Sequence, residues 1–423
     1  MTAAAPTLPL VLHVSLIVPG ELRDARGERL GKVEDLIVRL GADDYPPVSG
    51  VVARVAEREV FVPAEQVEEI AAGGVTIRSG TLDLQRFQRR ESEVLLRKDV
   101  LDRQLINIDG ARLVRANEIE LARLDGWYRV VGVDTSLRGL LRRLAPRPLA
   151  RRISLGTFLD WASIEPFTGH VPTVRLRVPH PKLARLHPAE LADLVEAASH
   201  KEGEEIIAAV ASDPELEADV FEELEDQHRL EFAETRSDAQ IAELLERMES
   251  DDAADLVLQL PEERRESVVT LLRGGHRRRV RTLLGYDPAT AGGLMSPEFL
   301  CLYAQATVGE ALERVRTSNI PADAVAWVYV MSTHHRLRGG LPLADLVRAD
   351  PGSRLTDLLK PVQSLRVDAD LEEVARTMTD FDLTVAPVVD ENEHIVGVIT
   401  VDDVLEVVLP HSWRRHFGLL GGE

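Results

Sequence analysis

The 423-residue chain has almost no cysteine: Cys301 stands alone, which excludes an intramolecular disulfide and any thiolate metal cluster. A metal site here would draw on carboxylates, histidines, backbone carbonyls and water. Aromatic residues are scarce as well, at 4%, so cores filled by Leu, Ala and Val are expected. No stretch approaches the roughly 20 unbroken apolar residues of a membrane-spanning helix. The longest candidate, Leu8 to Val18, is interrupted by Pro9, His13 and Ser15 and lacks the basic start of a secretory signal. A cytoplasmic location is therefore expected. Catalytic signatures are missing too. There is no His-Glu-x-x-His pair, no P-loop and no nucleophile elbow, and His334, His335 and His411 read as surface histidines. The expectation is a protein that is not an enzyme.

What is present is an ordinary folded composition, 44% hydrophobic and 29% charged, over a length that suggests two to four domains. The net charge of −21 is unevenly placed. Residues 1–180 carry 26 Lys and Arg against 24 Asp and Glu, whereas residues 181–423 carry 24 against 47. The acidic part should attract cations and repel nucleic acid, and the near-neutral first part argues against an RNA-binding module.

Short apolar runs at residues 16–18, 36–40, 48–55 and 59–63, separated by Gly, Asp and Pro, predict strands of a small β module over 10–90. A second copy follows over 91–170. "GERLGKVEDLIVRL" (27–40) aligns with "GARLVRANEIELAR" (110–123), matching Gly27 with Gly110, Arg29 with Arg112 and Leu30 with Leu113. "FVPAEQVEEI" (61–70) similarly echoes "FLDWASIEPF" (158–167). The pattern resembles PRC-barrel domains and implies tandem small β-barrels. The second copy carries an insertion at 137–152 in which Arg138, Arg142, Arg143, Arg147, Arg151 and Arg152 alternate with leucines. Such a run suits anionic lipid at the inner face of the plasma membrane, or an acidic partner, although charge runs are more often simply solvated. Pro146 and Pro148 preclude one long helix there.

Helical periodicity takes over from about Pro181. "LHPAELADLVEAA" (186–198), "DAQIAELLERM" (238–248) and "DDAADLVLQLP" (251–261) show apolar residues at i, i+3 and i+4 behind helix-start residues, predicting a stack of helical hairpins over 181–285. Beyond Pro297 the pattern reads strand, helix, strand, strand, helix, twice, over 296–355 and 356–410, before a tail at 411–423. The clearer second copy predicts a helix over 371–379, two strands divided by a turn at 391–393, and a helix opening after Thr400. The fold class expected is thus multidomain α+β: tandem β-barrels, an all-α helical-hairpin bundle and a pair of βαββα repeats.

Three segments, "MESDDAADLVLQLPEERRE" (248–266), "LLGYDPATAGGLMSPEF" (283–299) and the paired βαββα motifs, closely resemble the cytosolic portion of MgtE-type Mg²⁺ transporters, with its helical N domain and CBS pair. The resemblance implies an acidic cage in which Mg²⁺, or Mn²⁺ or Ca²⁺ in its place, bridges the two domains, and a homodimer formed through the CBS pair. Such a hard cation takes oxygen ligands and keeps much of its water, so loose carboxylate clusters suit it. The positions that match the family's coordinating acids are Asp219, Asp251 and Asp255 in the helical domain, and Asp370, Glu372, Asp382, Asp403 and Glu406 in the second CBS motif. Taken singly, each is more often a solvated or helix-starting acid. The family's acidic connecting helix and membrane domain have no counterpart: residues 409–423 carry Pro410, Arg414 and Arg415 instead. The function implied is a Mg²⁺-sensing regulatory protein without a pore of its own, acting on a separate membrane transporter or at a membrane surface. "GVITVDD" (397–403) also fits the CBS signature for adenine nucleotides, with Thr400 and Asp403 as contacts, while Pro342 breaks the same signature in the first repeat. ATP or AMP sensing is the alternative, with an interaction scaffold behind it.

Overall fold

The apolar runs of the first 170 residues become strands in the computed structural model, which describes residues 11–40, 43–78, 87–90, 92–136, 158–167, 182–320, 322 and 324–409. The arginines of the 137–152 insertion, Arg138, Arg142, Arg143, Arg147, Arg151 and Arg152, lie outside the described residues, as does the tail. The chain divides into two compact units, residues 1–216 and 217–423.

In the first unit, strands β1 (Leu12–His13), β2 (Gly20–Asp24), β3 (Arg29–Arg39), β4 (Val48–Val55), β5 (Arg58–Pro63), β6 (Val67–Ala71) and β7 (Gly74–Ile77) belong to the first repeat. The second supplies β8 (Glu93–Leu95), β9 (Gln104–Asn107), β10 (Arg112–Arg115), β11 (Glu118–Leu124), β12 (Trp127–Asp134), β13 (Phe158–Asp160) and β14 (Ile164–Pro166). The echo in sequence is an echo in structure. A 3₁₀ turn, Ala64–Gln66 in one repeat and Trp161–Ser163 in the other, joins the last strands of each. Antiparallel pairs β2–β3, β3–β4 and β4–β5 are matched by β9–β10, β11–β12 and β12–β13. The first repeat adds β7 between β2 and β6. There Gly74, at φ +153°, lies so close to the Glu21 backbone that a Cβ would collide with its carbonyl.

The repeats are not independent, because each lends its first strand to the other. β1 pairs with β11 and β8 pairs with β3. Each lent strand runs into a single helical turn, α1 (Val14–Ile17) in one case and a π-turn (Leu96–Val100) in the other. A buried carboxylate of the host strand then accepts that turn's N–H groups. Asp35 accepts from Arg97 and Lys98 at 2.8 and 3.0 Å, and Glu118 accepts from Ser15 at 3.1 Å. Asp35 and Glu118 stand in the register that matches Gly27 with Gly110. The strand expected at residues 16–18 is therefore replaced largely by the turn that Glu118 caps. One hydrophobic core, including Val14, Leu36, Val51, Val100, Ile119 and Ile164, runs through both repeats. Helices α2 (Pro188–Ala197) and α3 (His200–Val210) complete this unit, each opened by a capping box, at His187 and Ser199.

α4 (Pro214–Glu223) straddles the division between the units. The second unit continues with α5 (Asp226–Glu234), α6 (Asp238–Leu245), α7 (Ser250–Gln259), α8 (Glu262–Leu271) and α9 (Gly274–Leu283), whose apolar faces bury Ile241, Leu245, Leu256 and Val280, as α4 buries Phe221. After the short α10 (Ala291–Leu294) come two βαββα repeats. The first comprises β15 (Leu300–Tyr303), α11 (Val308–Thr317), β16 (Trp327–Met331), β17 (Leu337–Pro342) and α12 (Leu343–Arg348), followed by α13 (Leu355–Leu358). The second comprises β18 (Leu365–Arg366), α14 (Leu371–Asp380), β19 (Val385–Val389), β20 (Ile395–Thr400) and α15 (Val401–Val408). In both, the first two strands run parallel and the last two form an antiparallel hairpin. Tyr329 of the first repeat is fully buried against Val385 and Val398 of the second.

Candidate cation site

The site grows from two short helices whose polar faces are almost wholly acidic. On α7, Asp251 and Asp255 are one turn apart, as are Asp252 and Asp255, so all three crowd one side of its first turns. On α15, Asp403 and Glu406 share a face in the same way, while Val401, Leu405 and Val408 are left exposed on another. α15 is started by a capping box: the Asp403 carboxylate accepts the Thr400 N–H at 2.8 Å, and the Thr400 hydroxyl accepts the Asp403 N–H.

These acids surround one cavity of 490 Å³, lined by Glu225, Asp226, Asp251, Asp252, Asp255, Asp403 and Glu406, with Gly293 and Leu294 of α10 in its wall. The wall is shaped by the "DPATAGGLM" junction. A Cβ at Gly293 would meet Asp287 O and Pro288 Cα at 2.5 Å, and one at Gly292 would meet the Tyr286 ring at 2.7 Å. Main-chain bonds from Ala291 and Gly292 to Ala369 and Val367 tie the junction to the second βαββα repeat.

Arg229 is the one cation among the described lining residues. Its buried guanidinium donates to Leu224 O at 3.0 and 3.2 Å and lies 3.7 Å from both Asp226 and Asp252. One guanidinium cannot neutralise seven carboxylates, and the acids respond. Asp251 is pushed well above the carboxylate range by burial, then by Asp252, Asp403 and Glu249. Asp252 moves the same way, by burial and then Glu222, with Arg229 opposing. Asp255 is pushed up to about 6 by burial, against the pull of Arg229. Behind them, Glu222 is pushed up to about 7, by burial and then the charges of Asp219 and Glu223. Among the described residues, nothing gives buried Asp251 Oδ1 a hydrogen bond. The donor set is all oxygen, strongly anionic and open to water, which fits a hard, hydrated divalent cation and not a soft one.

The structure thus gathers Asp251, Asp255, Asp403 and Glu406 out of the sequence-derived set. Asp219 stands one turn from Glu222 and lines no part of the cavity. Asp370, Glu372 and Asp382 do not line it either. Asp370 caps α14 by accepting the Glu373 N–H at 2.8 Å, Glu372 pairs with Arg376, and exposed Asp382 takes φ +52° in the turn after α14. Missed in the sequence were Glu222, Glu225, Asp226, Asp252 and Arg229. Asp252 could have been found from its helical spacing to Asp255, and Arg229 from being the lone Lys or Arg within "LEADVFEELEDQHRLEFAE" (216–234). Thr400, the nucleotide candidate, is buried and engaged in the α15 cap.

Known proteins resemble this part of the chain. Residues 186–289 match the MgtE intracellular N domain, and residues 355–410 match the CBS domain. The magnesium transporter MgtE of Thermus thermophilus is 44% identical over 133 residues, which cover 31% of this chain and 30% of that one. The magnesium transporter MgtE of Bacillus subtilis is 27% identical over 193 residues, 45% of this chain and 43% of that one. The chain therefore spans less than half the length of these relatives. A crystal structure of the cytosolic domain of the Mg²⁺ channel MgtE in complex with ATP matches with a TM-score of 0.50 at 34% identity, covering 53% of this chain and 92% of that one. Among the described residues, no helix is long and apolar enough to cross a membrane.

Proposed function

We propose that this chain, which carries an MgtE intracellular N domain and a CBS pair related to the cytosolic part of magnesium transporters, is a regulatory protein that senses Mg²⁺ by letting the cation bridge α7 and α15. The observation that carries the reading is the cavity itself: seven carboxylates from two domains around one arginine, with a buried Asp251 oxygen left unpartnered among the described residues. Without a counter-ion the like charges repel, and closure around the cavity is disfavoured. A hydrated divalent cation among them reverses that balance and draws α15 onto α7. Asp251, Asp252, Asp255, Asp403 and Glu406 would hold it. Asp370, Glu372 and Asp382 take no part in this site.

The partner class that fits is a membrane magnesium transporter, since the relatives are such transporters and this chain shares their cytosolic architecture. A homodimer fits the exposed apolar residues Val401, Leu405 and Val408 of α15, together with Phe381 after α14. A second ligand, ATP, comes from the MgtE cytosolic domain solved with it, and Thr400 and Asp403 are the residues it would use here.

The test is a titration of the purified protein with MgCl₂ after EDTA treatment, following thermal midpoint and hydrodynamic radius. Millimolar Mg²⁺ should raise the midpoint and shrink the particle, by linkage to the closed form. The triple variant Asp251→Ala, Asp255→Ala, Asp403→Ala should stay folded and lose both responses. A wild-type response from that variant would reject the site. A response to ATP without one to Mg²⁺ would move the function to the CBS cleft.

A further inference from the structure

A second polar cluster lies at the base of α7, behind the cavity. Ser250, wholly buried, donates its Oγ to Glu298 Oε1 at 2.6 Å and accepts from Arg279 Nε at 3.0 Å. Arg279 Nε also lies 2.7 Å from Glu298 Oε1, and His276 Nδ1 is 3.4 Å from both the Ser250 hydroxyl and the Arg279 guanidinium. The other Glu298 oxygen accepts from Ser296 Oγ at 3.1 Å. Ser296 is in turn bonded through its backbone, in both directions, to Val398 of β20 at 2.8 and 2.9 Å. An unbroken path of hydrogen bonds thus runs from α7 and α9 through Glu298 and Ser296 to β20.

Its two ends are one residue from Asp251 and one strand-end from Asp403. Ser250 immediately precedes Asp251, and Val398 lies two residues before Thr400, whose cap fixes Asp403. No carboxylate of the cavity wall takes part, and the charge of Glu298 is met by Arg279.

We propose that Glu298 is a positioning residue for the cation site: with Ser250 and Arg279 it forms a clasp that sets Asp251 opposite Asp403. This rests on the cation reading above. The clasp orients the two faces from behind, and the cation closes the cavity between them. Groups that orient ligands from behind are worth about 10- to 100-fold in metal affinity in general.

The experiment uses the full chain and MgCl₂ alone, reading the Mg²⁺ concentration at half-maximal thermal shift. Glu298→Ala should raise that concentration about tenfold or more. Glu298→Gln, whose amide oxygen still accepts from Ser250 while its NH₂ donates to the Ser296 hydroxyl in place of accepting from it, loses the charge facing Arg279 and should recover most of the loss. Ser250→Ala, a smaller change that serves if Glu298→Ala does not fold, should shift it severalfold in the same direction. A Glu298 that merely stabilises the fold would lower the midpoint equally with and without Mg²⁺ and leave the half-maximal concentration unmoved. That result, alongside a lost response in Asp251→Asn, would overturn the clasp and leave the cation site standing. An unaltered response in Asp251→Asn would instead remove the site on which the clasp depends.

Discussion

Glu222 offers the most quantitative test of the acidic cluster. It sits on α4, half-buried, and accepts the Glu249 N–H at 2.7 Å. Burial, then the neighbouring charges of Asp219 and Glu223, push its carboxyl from 4.5 to about 7, even though the backbone bond and Arg229 pull the other way. That difference corresponds to about 3 kcal/mol of cost when Glu222 ionises in the folded protein. A carboxyl raised by folding contributes stability below its ordinary value of 4.5, and that contribution is lost as pH rises through about 7. Glu222→Gln keeps an oxygen for the Glu249 N–H and removes the charge. In EDTA at pH 8 the variant should therefore be about 2–3 kcal/mol more stable than the parent, allowing for its partial exposure. At pH 5, where the parent is already largely protonated in the folded state, the gain should fall below about 1 kcal/mol. Urea midpoints followed by circular dichroism, with both proteins at both pH values, give the comparison. Saturating Mg²⁺ should shrink the gain at pH 8, because a cation among the neighbouring carboxylates relieves part of the same repulsion. A variant no more stable than its parent at pH 8, or one that gains equally at pH 5, would refute the account of Glu222 as an electrostatically strained acid.

Three further outcomes are expected. Arg229→Gln removes the cavity's built-in counter-ion, so it should cost about 2–3 kcal/mol in EDTA and clearly less in millimolar Mg²⁺; equal losses in urea titrations with and without Mg²⁺ would argue against that role. Asp35→Ala and Glu118→Ala each strip a buried cap from the interlocked repeats and should each cost about 1–3 kcal/mol or more, lowering one common transition. Two different transitions in differential scanning calorimetry, one lowered by each substitution, would contradict a shared core. Leu405→Asp with Val408→Asp should convert a dimer to a monomer in sedimentation velocity, and an unchanged mass would place any dimer contact elsewhere.

Much of this fold could be read from residues. The βαββα repeats announced themselves through unbroken apolar strands such as "VAPVV" and the Asp390 turn, where the carboxylate accepts the Asn392 and His394 N–H groups. The internal repeat of the first unit was visible because Gly27 and Gly110 open matching strands. The exchange of β1 and β8 was not, since strand pairing is non-local and a two- or three-residue strand carries no periodicity that names its partner. Asp35 and Glu118 looked like acids within apolar runs, and only their partners, backbone N–H groups more than 60 residues distant, explain them. The cation cavity was half legible. Helical spacing placed Asp251 with Asp255 and Asp403 with Glu406, but which acids of α14 would join them depended on the direction in which that helix presents its first turn. Asp370 proved to be spent on its own helix cap.

The two units together show why burial or a raised carboxyl is by itself a poor sign of a cation site. Asp35 is buried and pushed up to about 6, much as Asp255 is. Yet Asp35 accepts three backbone N–H groups, from Leu36, Arg97 and Lys98, and its work is complete within the fold. Asp251 differs in what it lacks: among the described residues its buried Oδ1 has no hydrogen-bond partner, and its neighbours Asp252, Asp403 and Glu249 are all acids. A satisfied acid holds structure together, and a cation brought near it gains little beyond what the N–H groups already supply. An unsatisfied acid among like charges stores repulsion that only a proton or a cation can release. On the cation reading proposed above, the unsatisfied acids mark the face between α7 and α15 as the responsive part, with Glu298 satisfied and paired behind it.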